Sequence, residues 1–230
     1  DINGKNATNC GMGKVYWKRW LSYIWPIREQ GFSSKKNPDL ELRWENGALV
    51  LNSAHANYSY GSLHEVMRQA IAYLSKEELK NLLLLGLGGG SALQLAKQKC
   101  GDFIKATAVD FDPTILDIAK SYFKIHEYSW VQLVQADACT WVESAADDSF
   151  TAIIDDLFVN LEKPDFVLNP NYIGNLHRIL QPGGILIINL MAFQESDFEL
   201  FSETYCARFL IEHVQRVHEH NRLLFLRKVV

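Results

Sequence analysis

The sequence predicts a doubly wound α/β fold with a mostly parallel sheet, and three observations carry this prediction. Residues 82–85 are four consecutive leucines, and an apolar run without a polar break is typical of a strand buried on both faces of a parallel sheet. A glycine-rich stretch, 86–90, follows at once, and glycine lets the chain turn sharply there. Apolar runs and helical patterns then alternate along the chain, as a doubly wound sheet requires.

The elements of this fold are predicted in order from residue 62 onward. A helix over 62–75 leads into a strand over 82–86. Four helix–strand pairs follow, over 90–99 and 104–110, 113–123 and 130–135, 138–145 and 150–155, and 165–179 and 184–190. A helix over 196–208 then precedes two strands, near 209–217 and 222–229, that a short polar turn joins into an antiparallel hairpin.

The first 60 residues predict a separate small module. Residues 40–44 alternate apolar and polar, and Asn46-Gly47 is a hairpin turn signal. Residues 48–51 would form the second strand, so 39–60 are interpreted as a β-hairpin. Residues 1–38 form an arm with an aromatic and basic segment at 16–25. That segment fits a membrane-surface or partner-binding helix, or an arm packed on its own domain or on a sister subunit. We therefore divide the chain into 1–60 and 61–230.

Composition predicts a cytoplasmic globular protein. The chain has 230 residues, 48% of them hydrophobic and 22% charged, which is ordinary for a folded domain. A net charge of −4 argues against a nucleic-acid partner, and no apolar run is long enough to span a bilayer. The four cysteines lack metal-ligand spacing, which favours reduced thiols and no metal site.

Several predicted strands end in carboxylates, and this pattern points to a bound nucleoside. Asp110 ends the strand after the glycine turn, Asp137 follows the next strand, and Asp155 and Asp156 end the one after that. In an open α/β sheet, ligands bind beyond the carboxyl ends of the strands. Asp110 can accept both ribose hydroxyls there, and Asp137 can accept from an adenine amino group or cap the helix that begins at Ala138.

The spacing of the glycines disfavours a dinucleotide. Gly86, Gly88 and Gly90 give the pattern G-x-G-x-G, and Ser91 stands where the dinucleotide fingerprint has its third glycine. Asp112 before Pro113 is expected to cap the following helix, because proline is favoured at the first helical position.

The order of these motifs resembles the class I S-adenosylmethionine-dependent methyltransferases, and within them the spermidine-synthase-like branch. The resemblance covers roughly residues 45–230. It rests on the glycine loop, Asp110, the pair Asp137-Ala138, and the Pro-Gly-Gly at 182–184. For the branch it rests on residues 62–67, which are similar to a Tyr-His-Glu-Met helix with Leu63 in place of the tyrosine.

The resemblance implies a Rossmann-like fold of seven strands, a possible homodimer, and S-adenosylmethionine or its decarboxylated form as cofactor. The implied cofactor-binding residues are Gly86, Gly88, Gly89, Gly90, Asp110, Phe111, Asp137 and Ala138. The implied substrate residues are His64 and Tyr58. Asp156 falls on the position of an aspartate that deprotonates an attacking amine, with Asp155 as the second catalytic candidate. Strand alternation sends these two side chains to opposite faces, so at most one points at the reacting centre.

Two departures from the aminopropyltransferase pattern predict a different substrate. Gly89 and Val159 stand where that family has carboxylates for the charged amine, and Leu157 to Val159 are expected to make the rim apolar. A dicationic diamine would lose much of its binding without those charges. The favoured hypothesis is therefore a methyltransferase acting on a small molecule or a protein. Aminopropyl transfer, with Asp155 or Glu162 replacing the missing acids, and a non-catalytic binding or assembly protein are the alternatives.

Overall fold

The computed structural model describes residues 17–34, 38–53, 62–101, 104–159, 162–191, 195–218 and 221–229. Within them, a seven-stranded sheet carries helices on both faces, and a three-stranded antiparallel sheet precedes it. The predicted doubly wound α/β fold and the antiparallel hairpin at its end are confirmed.

The small sheet consists of β1 (Ile27–Phe32), β2 (Leu40–Glu45) and β3 (Ala48–Ser53). The large sheet consists of β4 (Asn81–Leu85), β5 (Lys105–Asp110), β6 (Val131–Gln135), β7 (Phe150–Asp155), β8 (Leu180–Met191), β9 (Leu210–Arg216) and β10 (Asn221–Arg227). The helices from residue 62 onward are α1 (Ser62–Tyr73), α2 (Ser91–Cys100), α3 (Pro113–Ser121), α4 (Ala138–Ser144), α5 (Pro170–Ile179) and α6 (Glu195–Cys206). Two short 3-10 turns span Ile125–Glu127 and Asp165–Leu168.

The strand order places a ligand crevice beyond β4. The large sheet runs β6-β5-β4-β7-β8-β10-β9, with β4 parallel to both of its neighbours and β10 antiparallel to β8. The chain builds β5 and β6 on one side of β4 and then crosses to β7 on the other side. Such a switch point is where open α/β sheets bind ligands, at the carboxyl ends of the strands.

Apolar packing covers both faces of the sheet. Leu82 and Leu84 pack in a cluster with helices α1 to α3 and the small sheet, while Leu83 and Leu85 pack with α4 to α6. All four leucines are at most 1% exposed, and each such side chain contributes about 1.5–3 kcal/mol to folding. The predicted burial of 82–85 on both faces is confirmed.

The structure corrects the prediction for the amino-terminal module. The hairpin of β2 and β3 has a third strand, β1, which lies in the stretch interpreted as an arm. β1 is an edge strand whose side chains are all at least partly exposed, so it lacks the apolar alternation that reveals a half-buried strand. It packs against Tyr122, directly after α3, whose hydroxyl donates a 2.5 Å hydrogen bond to Gln30 and whose ring lies edge-on to Phe32.

Part of the aromatic segment packs on its own module. Ser22 is buried, its hydroxyl accepts a hydrogen bond from the N–H of Gly47, and its carbonyl accepts one from Asn46. Trp20, Ile24 and Trp25 are 73–81% exposed, so a role of these side chains in binding a membrane or a partner stays a prediction. Among the described helices, none is long and apolar enough to cross a membrane.

Two boundaries of the large domain also differ from the prediction. The helix predicted over 165–179 begins as a 3-10 turn, and α5 starts only at Pro170, with Asn169 as its cap. The strand predicted over 184–190 already begins at Leu180, which pairs with Phe150 before an irregularity in the register. The Pro-Gly-Gly at 182–184 thus lies within β8 rather than before it.

Candidate active site

The glycine turn after β4 brings two loops into close contact. Gly86 has φ +87° and Gly90 has φ +76°, both in the left-handed region that favours glycine. A Cβ added at Gly86 would lie 2.6 Å from the carbonyl oxygen of Asp156, and the N–H of Asp156 donates to Leu85 at 2.8 Å. The absence of a side chain at Gly86 therefore lets the loop after β7 run directly beside the turn.

Asp110 lies at the end of β5 with its carboxylate turned toward the glycine turn. Its Oδ2 accepts a 2.9 Å hydrogen bond from the N–H of Leu87, and its Oδ1 accepts one of 2.9 Å from Asp112. Burial raises its pKa to about 6, although the backbone N–H groups oppose that shift. Both carboxylate oxygens keep lone pairs for further donors, so this pair of acceptors fits a ligand that presents two hydroxyl groups, such as a ribose.

The neighbouring positions are suited to a flat, partly apolar ligand. Phe111 is 37% exposed directly after Asp110, and Ala138 is buried at the start of α4. Asp137 caps α4 by accepting the N–H of Thr140 at 3.1 Å, so the predicted capping role is confirmed. The cap uses Oδ1 of Asp137, so capping is compatible with a ligand at Oδ2. Contact of Asp137 with an adenine stays a prediction.

Asp156 is the carboxylate that lines a cavity at this edge of the sheet. The cavity opens to solvent, and its free volume is about 10 Å³, roughly the room that one water molecule needs. Asn189, at the end of β8, donates a 2.8 Å hydrogen bond to Oδ1 of Asp156. Burial raises the pKa of Asp156 to about 7, while the bond from Asn189 and the charge of Lys163 act in the opposite direction. The remaining cavity walls are formed by Leu63, Met67, Leu84, Gly86, Leu87, Ser91 and Ala92.

Asp155 points into the opposite face of the sheet. Its Oδ1 lies 2.6 Å from the ammonium of Lys163, and its Oδ2 accepts a 2.9 Å hydrogen bond from the hydroxyl of Tyr172. The side chain is fully buried. The structure therefore separates the two neighbouring acids, with Asp156 beside the cavity and Asp155 in an ion pair that anchors the loop.

The two predicted substrate residues are placed differently. His64 is half-buried near the start of α1, and burial lowers its pKa. Its neighbours Leu63 and Met67, rather than His64 itself, line the cavity. Tyr58 lies outside the described residues. Roles in substrate binding for both stay predictions.

Sequence reasoning missed Asn189 and Met67. Asn189 interrupts an otherwise apolar strand, and a buried carboxamide in such a strand costs free energy unless it is hydrogen-bonded; that was the available signal. Met67 belongs to the segment 62–67 quoted for the resemblance, but it received no site role, because a methionine at helical spacing is an ordinary core residue.

The comparisons with known proteins agree with this geometry. A family model described as "Methyltransferase domain" matches residues 82–184, which contain the glycine turn and the strand ends that carry Asp110, Asp137 and Asp156.

The chain is therefore similar, in part of its sequence and in its fold, to the class I S-adenosylmethionine-dependent methyltransferases.

Relatives of two kinds are similar to part of its sequence. A polyamine aminopropyltransferase of Chromobacterium violaceum is 28% identical over 117 residues, covering 50% of this chain and 44% of the relative. An "eEF1A lysine and N-terminal methyltransferase" of Xenopus laevis is 25% identical over 181 residues, covering 71% of this chain and 26% of the relative. The chain thus spans less than half the length of either relative.

A solved structure extends the comparison of folds to the amino-terminal module. The spermidine synthase of Thermotoga maritima matches with a TM-score of 0.68 at 15% identity, covering 88% of this chain and 73% of that one. At this identity, the match shows a shared fold.

The loop after β7 corrects one expectation drawn from the superfamily. Leu157 does not contribute to an apolar rim, because it is buried with the helices on the opposite face of the sheet from the cavity. Phe158 is partly exposed beneath the ammonium of Lys163, which lies 4.6 Å from the ring centroid, and Val159 is 39% exposed. The surface beside the cavity is therefore less apolar than the sequence predicts. In the described part of the chain, no group of three metal-ligating side chains comes together.

Proposed function

We propose that this chain is an S-adenosylmethionine-dependent methyltransferase of the spermidine-synthase-like branch, in which Asp156 accepts a proton from the methyl acceptor. The observation that carries this proposal is the position of Asp156. Its carboxylate lines the cavity beside the glycine turn, with a pKa raised to about 7. A base works best when its pKa lies close to the working pH.

The cofactor-binding residues follow from the same edge of the sheet. Asp110 would accept the two ribose hydroxyls, and Phe111 would lie against the nucleoside. Gly86, Gly88, Gly89 and Gly90 would let the backbone pass under the methionine portion, since no side chain intervenes. The N-terminus of α2 favours a carboxylate nearby. When bound, S-adenosylmethionine supplies a methyl group that its sulfonium already activates.

The protein's remaining task is to align and deprotonate the acceptor. The opening beside Asp156, between α1 and the glycine turn, would place the attacking atom of the acceptor for in-line attack. An amine is protonated at neutral pH and needs a base of this kind. The name of the Xenopus relative specifies lysine and amino-terminal groups as acceptors of that protein, which supports an amine on a small molecule or a protein as the acceptor here.

Calorimetric titration with S-adenosylmethionine and S-adenosylhomocysteine tests the cofactor assignment. Binding of either is expected, and binding of neither would overturn the proposal. Mass-spectrometric detection of S-adenosylhomocysteine, formed from the cofactor with a panel of small amines and peptides, tests for turnover. Asp156→Asn should retain cofactor binding and lose turnover, whereas Asp117→Asn on the exposed face of α3 should retain both.

Aminopropyl transfer is the second candidate, and the match to a polyamine aminopropyltransferase favours it. The site offers little support, because Gly89 and Val159 replace two acids of that family. Asp155 is committed to Lys163, and Glu162 is exposed where it pairs with Val159 in a short bridge. Incubation with decarboxylated cofactor and putrescine decides the matter, since aminopropyl transfer must release methylthioadenosine. A homodimer in the cytoplasm stays a prediction, which sedimentation velocity and localisation of a tagged chain would test.

A further inference from the structure

Asn189 is a buried carboxamide in an otherwise apolar strand. It is 1% exposed, between Ile188 and Leu190 on β8. A carboxamide in such a place is costly unless both of its ends are hydrogen-bonded. The identity of its partners therefore explains the residue.

Those partners form a series of two hydrogen bonds that links the ends of three strands. The Nδ2 of Asn189 donates to Oδ1 of Asp156 at 2.8 Å, and the Nδ2 of Asn221 donates to Oδ1 of Asn189 at 3.2 Å. The strand registers produce this arrangement. Asp155 pairs with Ile188, which brings Asp156 beside Asn189, and Asn221 pairs with Met191 two residues further along β8.

The direction of these bonds is fixed. An amide oxygen can only accept and an amide nitrogen can only donate, so with Asp156 ionised the nitrogen of Asn189 faces that carboxylate and the oxygen of Asn189 accepts from Asn221. A flipped Asn189 would lose both bonds and would set its oxygen against the carboxylate.

Building on the proposed role of Asp156, we propose that Asn189, held by Asn221, is a positioning residue that keeps Oδ1 of Asp156 as a hydrogen-bond acceptor and directs protonation to Oδ2. With Oδ1 engaged, the proton from the acceptor arrives at one defined oxygen, and the carboxyl group cannot rotate freely. A base that is already held in the productive orientation does not have to be ordered during the reaction, which lowers the barrier to proton transfer.

The electrostatics of the site agree with this role. Burial and the neighbouring carboxylates Asp155 and Asp110 raise the pKa of Asp156, and the bond from Asn189 lowers it. Loss of that bond would leave less of Asp156 ionised at neutral pH, and therefore less of the protein ready to act as a base.

The test is an NMR titration of the full chain labelled with ¹³C at the aspartate carboxyl carbons. The Asp156 signal is assigned by its loss in Asp156→Asn. In Asn189→Leu, which keeps the branched arrangement of side-chain heavy atoms, the pKa of Asp156 should rise by about one to two units, as expected for removing a hydrogen bond to a charged group. Asn221→Ala should also raise it, by about half a unit, although Asn221 does not contact Asp156.

Two further variants make the result decisive. Asn175→Leu removes a carboxamide that accepts a 3.3 Å hydrogen bond from Arg178 on α5, and it should leave the pKa of Asp156 unchanged. Asn221 is only half-buried, so Asn221→Ala tests the proposal even where Asn189→Leu fails to fold. An unchanged pKa of Asp156 in Asn221→Ala, or in a folded Asn189→Leu, would overturn the proposal.

This titration needs neither cofactor nor acceptor, so it separates two kinds of failure. If the pKa of Asp156 moves as expected but calorimetry detects no S-adenosylmethionine binding, the proposed function is wrong and the series of hydrogen bonds stands. If the cofactor binds and the pKa does not move, the positioning role of Asn189 is wrong and the proposed function stands.

Discussion

The ammonium group of Lys163 lies 2.6 Å from Oδ1 of Asp155, and the two side chains are 6% and 0% exposed. Lys163 also donates to the backbone carbonyl of Asp155 at 3.1 Å. Lys163 thus fixes the far end of the loop after β7 to Asp155, the last residue of β7 and the neighbour of Asp156. Asp155, which faces away from the cavity, therefore holds in place the loop that begins with Asp156, which faces it.

This pair predicts that Lys163→Met destabilises the protein strongly. Removing the lysine leaves a buried carboxylate without its cation, which costs about 3–5 kcal/mol. Urea unfolding followed by circular dichroism measures the change. Lys80→Met is the matched control, because Lys80 pairs with Glu77 at 2.8 Å on the exposed surface, where such pairs contribute little. Equal stabilities of the two variants would contradict this interpretation.

Asp110→Asn is predicted to weaken cofactor binding. The amide can accept through one oxygen only, so it cannot hold two ribose hydroxyls together with the N–H groups of Leu87 and Asp112. Losing one hydrogen bond to a charged group corresponds to a 10- to 100-fold weaker Kd. Calorimetry with S-adenosylhomocysteine measures it, with Asp117→Asn as the control. An unchanged Kd in Asp110→Asn would mean that the nucleoside lies elsewhere.

The raised pKa of Asp156 predicts how stability changes with pH. Its folded-state value of about 7 lies above the usual aspartate value of about 3.9, so the folded protein binds more protons between these two pH values. Its contribution to the free energy of unfolding therefore decreases as pH rises from about 4 to 7. In Asp156→Asn, the slope of the free energy of unfolding against pH should be more positive at pH 5.5, by about 1 kcal/mol per pH unit. This difference corresponds to nearly one proton that the folded wild-type protein binds and the variant does not. Urea unfolding at a series of pH values tests this, and parallel curves for the two proteins would contradict the raised pKa.

The parts of the molecule that the sequence predicts well are those in which local pattern and burial agree. Residues 82–85 are apolar without a break, and their burial on both faces follows from that pattern alone. Asp112 before Pro113 predicts a helix start, and Asp112 does accept the N–H of Thr114 at 2.9 Å. Strand β1 could not be predicted in this way, because its pairing with β2 rather than its own pattern makes it a strand.

The site was harder to predict because its parts come from distant strands. Strand alternation predicts that Asp155 and Asp156 face opposite sides, but not which of them faces the cavity. That choice depends on Lys163 and Asn189, which approach from other elements. The hydrogen bonds that link Asn221, Asn189 and Asp156 join residues up to 65 positions apart in the sequence. Only the register of β8 with β7 and β10 brings these residues together.

Gly86 predicts a measurable link between the glycine turn and the loop that carries Asp156. In Gly86→Ala, the new Cβ would lie 2.6 Å from the backbone carbonyl oxygen of Asp156 at a φ of +87°, so backbone must move to relieve the contact. Gly183→Ala is the matched control, since Gly183 has a φ of +74° and no atom lies within 4 Å of an added Cβ.

Both variants incur the penalty for a left-handed residue, about 1–2 kcal/mol, but Gly86→Ala adds the cost of the steric contact. Gly86→Ala should therefore be destabilised by at least about 1 kcal/mol more than Gly183→Ala in urea unfolding. It should also shift the ¹³C signal of the Asp156 carboxyl group, whereas Gly183→Ala should leave that signal in place. If the two variants behave alike in both measurements, the turn and the loop are not in contact, and Gly86 does not determine where Asp156 lies.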